Sequence, residues 1–163
     1  MISESFEQAL VIISTTMAGS QIKYALVGSV NQALQGIALF PKDLDLVTQF
    51  QDLQEFHLLF RDYSPSNIAE MRPDAADSAW TAKLERHPAS GFYFSIGRVP
   101  VQVLGERADG DYVSKLLCNR LTYLDVRNQK LPCFTLEAEA EAYEDIFRAD
   151  KAARIRDFLT MQE

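Results

Sequence analysis

Sulfur and histidine are too scarce in this chain to build an obvious metal or disulfide framework. Its 163 residues hold two cysteines, Cys118 and Cys133, without metal-ligand spacing, and both are expected as buried thiols rather than a disulfide or a nucleophile. His57 has no second His or Cys at ligand spacing and is expected at or just under the surface. Positive charge is also short, with 16 Lys and Arg against 23 Asp and Glu and a formal net charge of -7. That balance argues against a broad footprint for duplex DNA or long RNA, although a local basic patch could hold a nucleoside triphosphate. No apolar run approaches membrane-spanning length, and the opening MISESFEQALVII lacks the basic start and cleavage-type sequence of a secretory leader. The expectation is a cytoplasmic protein with no membrane partner. Repeats, low-complexity tracts and flexible linkers are missing as well. With 47% hydrophobic and 24% charged residues, an ordinary globular composition, one domain is expected over residues 1–163, with a core over about 1–107 and a C-terminal hairpin and helices over about 111–163.

What is present is concentrated between Tyr24 and Thr48, YALVGSVNQALQGIALFPKDLDLVT. Ile22 to Val27 is an apolar run suited to a buried strand, and at Gly28-Ser29 the pattern becomes helical. Val30, Ala33, Leu34 and Ile37 form one stripe of a short helix that Gly36 is placed to end. A helix opened by Gly28-Ser29 presents backbone N–H groups, and the glycine leaves room for a phosphate to approach. Further on, Asp43-Leu44-Asp45-Leu46-Val47 alternates with period two, so Asp43 and Asp45 share one face while Leu44 and Leu46 enter the core. Two such carboxylates repel unless a cation lies between them, and oxygen-only donors suit Mg²⁺ or Mn²⁺. By itself the Asp pair also fits a solvated strand edge.

With thirteen residues between Ser29 and Asp43, the Gly-Ser turn, short helix and Asp-Leu-Asp resemble the signature of the nucleotidyltransferase superfamily, in particular its minimal bacterial members and toxin–antitoxin relatives. The resemblance implies an α/β (α+β) fold, a short mixed sheet flanked by helices with a C-terminal helical extension. It implies metal at Asp43 and Asp45, and nucleotide at Gly28, Ser29, Lys42 and Lys151. It also implies a third carboxylate on a later strand, where Val101-Gln102-Val103 is the equivalent segment, so that position holds Gln102. An amide offers a metal only a neutral oxygen and cannot serve as a general base. Glu106, just past that strand, is the alternative donor, or else a solvated loop residue.

The remaining elements follow from periodicity. Phe6, Ala9, Leu10, Ile13 and Met17 form one stripe capped by Ser3 or Ser5, and Leu53, Phe56, Leu59 and Phe60 another. Ser78 to Arg86 suits a short helix with Trp80 and Leu84 on its core side. Gly91 to Leu104 suits a hairpin turning at Gly97-Arg98, pairing Ile96 with Val99, Phe94 with Val101 and Phe92 with Val103. A short helix is expected around Tyr112 to Leu117, then strands Leu121 to Val126 and Leu131 to Phe134. Thr135 should cap an acidic helix to Phe147 whose Glu137, Glu139, Glu141 and Glu144 face solvent, and a last helix should run from Asp150 to Leu159. Arg148, Lys151, Arg154 and Arg156 form a basic cluster; the order Tyr143, Arg148, Lys151, Ile155 resembles a family motif whose lysine faces the triphosphate. Salt bridges to the neighbouring acids explain the cluster as well.

Two functions therefore stay open. One is transfer of a nucleoside monophosphate from a triphosphate to a hydroxyl of a protein, a tRNA end or a small molecule. The other is a binding module of the same fold that has lost catalysis at Gln102, acting as a sensor or a toxin–antitoxin partner.

Overall fold

The computed structural model of the protein describes residues 2–106 and 117–163. Helix α1 (Glu4–Met17) starts where the Ser3 hydroxyl accepts the Phe6 N–H, and it buries Ala9, Leu10, Ile13 and Met17 along the expected stripe. Strand β1 (Tyr24–Val27) passes into α2 (Gly28–Leu34) with no loop between them. Gly36, at φ +103°, turns the chain out of that helix in a conformation that side-chain-bearing residues avoid. The chain then forms β2 (Leu44–Gln49), α3 (Leu53–Leu59), a two-residue β3 (Ala69–Glu70) and α4 (Ser78–Arg86). Next come β4 (Ala89–Ile96), β5 (Val99–Glu106), β6 (Leu121–Val126), β7 (Gln129–Phe134), α5 (Leu136–Asp145) and α6 (Ala149–Gln162). The helix expected around Tyr112 to Leu117 lies, except for Leu117, outside the described residues. No helix among the described residues is long and apolar enough to cross a membrane.

The strands form one mixed sheet in the order β3-β4-β5-β2-β1-β7-β6, in which β2–β5 and β1–β7 are parallel and the other pairs antiparallel. The β4–β5 hairpin has the expected register, and it runs two residues further at each end, to Ala89 and Glu106. The second hairpin is tighter than expected. Val126 pairs with Gln129, leaving Arg127 and Asn128 as a two-residue turn with φ 47° and 65°, the left-handed pair that matches strand twist.

Strand side chains alternate, so the sheet has two different faces. On one, Leu26, Leu44, Leu46, Phe92, Val101 and Val103 are buried in the same core as Leu10 and Ile13 of α1 and Phe56 of α3. Phe60 stacks on Phe94 with ring centroids 4.9 Å apart within that core. On the other face, Ala25, Val47 and Phe134 meet Ala138 of α5, and Ile37, Leu136, Ala140 and Ile155 join α5 to α6. Cys133 is buried, whereas Cys118, expected inside, is exposed.

Candidate functional site

A cleft of about 520 Å³ opens where the second face is left uncovered between α4 and the α5–α6 pair. Gly28, Ser29, Asp43, Asp45, Gln102 and Lys151 all line it, although they come from four separate segments of the chain. Lys42 does not; it is exposed on the bend before β2.

Antiparallel pairing of β1 with β2 sets Val27 opposite Asp45, which places the Asp45 side chain beside the start of α2. Gly28 has φ +75°, and a Cβ built there would stand 2.9 Å from Asp45 Oδ2. Glycine is thus required by its backbone angle, and any side chain there would also have to displace the Asp45 carboxylate. Asp43 sits on the bend just before the strand, exposed where Asp45 is half-buried. Burial, and then the charge of Asp43, pushes the Asp45 carboxyl up to about 6, while Lys83 and Lys151 pull it back. Lys83, on α4, is a further cation at the cleft, one that periodicity does not single out.

Gln102 is directly opposite Asp45 in the parallel β2–β5 register, so it shares the cleft face. Its amide donates to the Tyr93 hydroxyl at 2.7 Å, across the hairpin. Glu106 is neither in a loop nor solvated: it closes β5, buried, with the His87 ring 3.9 Å away. Four residues along a strand span about 13 Å, too far for Glu106 to take the place of a carboxylate at Gln102. His87 also bonds Asp145 at 2.7 Å, which makes that end of the cleft an ionisable cluster of its own.

Glu139 overturns the picture of α5 as a solvated acidic face. It is buried, and its Oε1 accepts the Gly28 N–H at 2.6 Å and the Asn31 side-chain amide at 2.8 Å, while Oε2 accepts the Gln32 amide at 2.8 Å. Burial pushes this carboxyl up to about 7, against the three hydrogen bonds that favour its charge. The Gly28 N–H is therefore already engaged, which leaves Ser29 as the next residue of the turn facing the cleft. Position could have revealed Glu139, because Leu136, Glu139, Ala140 and Tyr143 fall on one helical stripe with Leu136 and Ala140 buried. Charge composition concealed it.

The basic cluster divides. Arg148 pairs with Asp150 and Arg156 with Glu144, each at 3.0 Å, whereas Lys151 and Arg154 line the cleft. Lys151 Nζ stands 5.3 Å from the Tyr143 ring centroid. Trp80, expected in the core, is half-buried and lines the cleft instead; α4 buries Ala79 and Leu84.

Among the described residues no group of three or more His, Cys, Asp or Glu stands ready for a metal. Asp43 and Asp45 nevertheless fit a divalent cation of the Mg²⁺ type. They supply hard oxygen donors and a charge pair in need of neutralisation, and such an ion commonly takes its remaining ligands from water and phosphate.

No protein-family sequence model matches the chain, and no curated protein matches it in sequence. Solved structures do match it in shape. A Thermotoga maritima protein proposed to be a nucleotidyltransferase aligns with 99% of this chain and 96% of its own, at a TM-score of 0.66 and 20% identity. The antibiotic-resistance factor ANT(2'')-Ia aligns in its complex with adenylyl-2''-tobramycin, over 97% of this chain and 98% of its own, at a TM-score of 0.55 and 12% identity. Its solution structure aligns over 97% and 94%, at 0.51 and 12%.

Proposed function

We propose that this chain, which has the nucleotidyltransferase fold, binds a nucleoside triphosphate with Mg²⁺ or Mn²⁺ and transfers the nucleoside monophosphate to an acceptor hydroxyl. The observation that carries the reading is the meeting of Asp43, Asp45, the Gly28-Ser29 turn, Lys151 and Lys83 in the lining of one cleft. Asp43 and Asp45 would hold the metal, which when bound supplies charge neutralisation and orientation for phosphoryl chemistry. Ser29 faces the terminal phosphates, Lys151 and Lys83 counter their charge, and Gly28 makes the room that brings the Asp45 carboxylate up to the turn. Lys42, exposed on the bend outside the cleft, is left out of this set. A protein side chain, a tRNA end or a small molecule supplies the acceptor hydroxyl. The direct test is a melting curve with Mg²⁺ and ATP, which should rise; no shift with any nucleotide and metal would remove the reading.

One observation favours a second reading, a nucleotide-binding module without transfer, alone or as half of a toxin–antitoxin pair. Gln102 lies opposite Asp45 in the β2–β5 register, and its neutral amide would leave transfer without a base at that position. Incubation with labelled triphosphate and candidate acceptors separates the two. Gln102→Asp should tighten Mg²⁺ binding about tenfold and raise any weak transfer, while lowering metal-free stability by about 1 kcal/mol, the cost of like charges opposite each other on neighbouring strands. Unchanged metal affinity, measured by calorimetry, would take Gln102 out of the metal site. Lys151→Ala should weaken triphosphate binding about tenfold and monophosphate binding less, as fits a charge-assisted contact to the outer phosphates. Equal losses would leave Lys151 only its packing on Tyr143.

A further inference from the structure

We infer that Trp80 is the nucleobase platform of the cleft, an inference that rests on the nucleotide reading above and adds where the base lies. Three residues apart, the cap Asp77, Trp80 and Lys83 follow one side of α4 and line the cleft, while Ala79 and Leu84 are buried behind them. The Trp80 indole N–H is engaged by the Arg72 carbonyl at 2.9 Å, which steadies the ring and leaves its π-faces as what a ligand could use. Lys83 Nζ lies 6.0 Å from the ring centroid, at the outer limit of a cation–π contact, and the same lysine's charge reaches Asp45. Ring, lysine and carboxylates thus line one cleft, as a nucleotide that spans base and phosphates requires. A stacked base also asks nothing of the charged groups around it: every base has a π-face, and purines have the larger one.

Trp80 is the only tryptophan of the chain, so its emission reports this position alone. The full chain is titrated with Mg·ATP and, in parallel, with Mg·tripolyphosphate, which has the phosphates without a base. Both should raise the melting temperature, ATP should bind more tightly, and only ATP should quench the tryptophan saturably. Trp80→Ala should lower ATP affinity about tenfold or more and leave tripolyphosphate affinity unchanged, while Trp80→Phe should retain most of the ATP affinity. Equal binding of ATP and tripolyphosphate to the parent, or equal quenching by both, would overturn the inference without any variant having to fold. So would equal loss of both ligands in Trp80→Ala, which would make Trp80 a structural residue of α4. Failure of both ligands to bind the parent would overturn the nucleotide reading itself and this inference with it, a result distinct from the others.

Discussion

Changing Asp43 and Asp45 together to Asn should leave a folded protein whose melting temperature no longer responds to Mg²⁺ and ATP. At a ligand concentration about a hundred times Kd, binding stabilises the native state by about 2.7 kcal/mol. For a chain of this size that is a rise of about 5–10 °C, all of which should vanish in the double variant. The metal-free protein should lose nothing and gain slightly, because the charge of Asp43 is one reason the Asp45 carboxyl is pushed up to about 6. The measurement is a pair of melting curves for each protein, with and without metal and nucleotide. A double variant that still shifts as the parent does would mean that the metal, or the nucleotide, is held elsewhere.

The largest loss of stability should come from a residue that need not touch the ligand. Glu139→Ala leaves the Gly28 N–H and the side-chain amides of Asn31 and Gln32 without their shared acceptor inside the protein. Orphaning buried donors and opening a cavity should cost about 3–5 kcal/mol at pH 5, a fall in melting temperature on the order of 10 °C. Glu139→Gln should cost much less, since its amide oxygen still meets Gly28 and Asn31 if the Gln32 amide turns over. The parent should also carry a pH dependence. Burial raises the Glu139 carboxyl from 4.5 to about 7 and is only partly offset by its hydrogen bonds. Between those values the unfolded chain has released its proton and the folded chain has not, so stability is fully present below about 4.5 and declines as pH rises through 7. Asp45, raised from 3.8 to about 6, acts in the same direction. The metal-free protein should therefore be more stable at pH 5 than at pH 8, by as much as about 3 kcal/mol from Glu139, and Glu139→Gln should flatten most of that slope. Denaturant melts at the two pH values measure it; equal slopes in parent and Glu139→Gln would assign the titration to another group.

Much of the site frame was legible because it is local. The step from β1 to α2 shows as a change of hydrophobic period at Gly28, and the Asp pair as alternation before Leu44 and Leu46. The β4–β5 register follows from which residues can share an apolar face. What sequence order hid were contacts between distant segments. Glu139 looks solvated because its burial depends on three donors that lie 107 to 111 residues earlier. Trp80 looks like core because a nine-residue helix with few apolar residues does not define its rotation, and the observed one buries Ala79 rather than Trp80. Glu106 looks like a loop residue because β5 runs two residues past the last clear alternation, held by pairing with both Ala89 and Gln49.

The sheet order carries a consequence for how the protein comes into being. Strand β1 lies between β2 and β7, and its turn is gripped by Glu139 from α5, 111 residues further along the chain. During synthesis the Gly-Ser turn and the Asp pair therefore emerge well before the partner strand and the acid that hold the turn. Contacts of such long sequence separation form slowly and late. Until then β1 has an open edge, so a chain stopped near residue 128 should be prone to aggregate, and the cleft takes its shape only once β7 and α5 have joined the sheet.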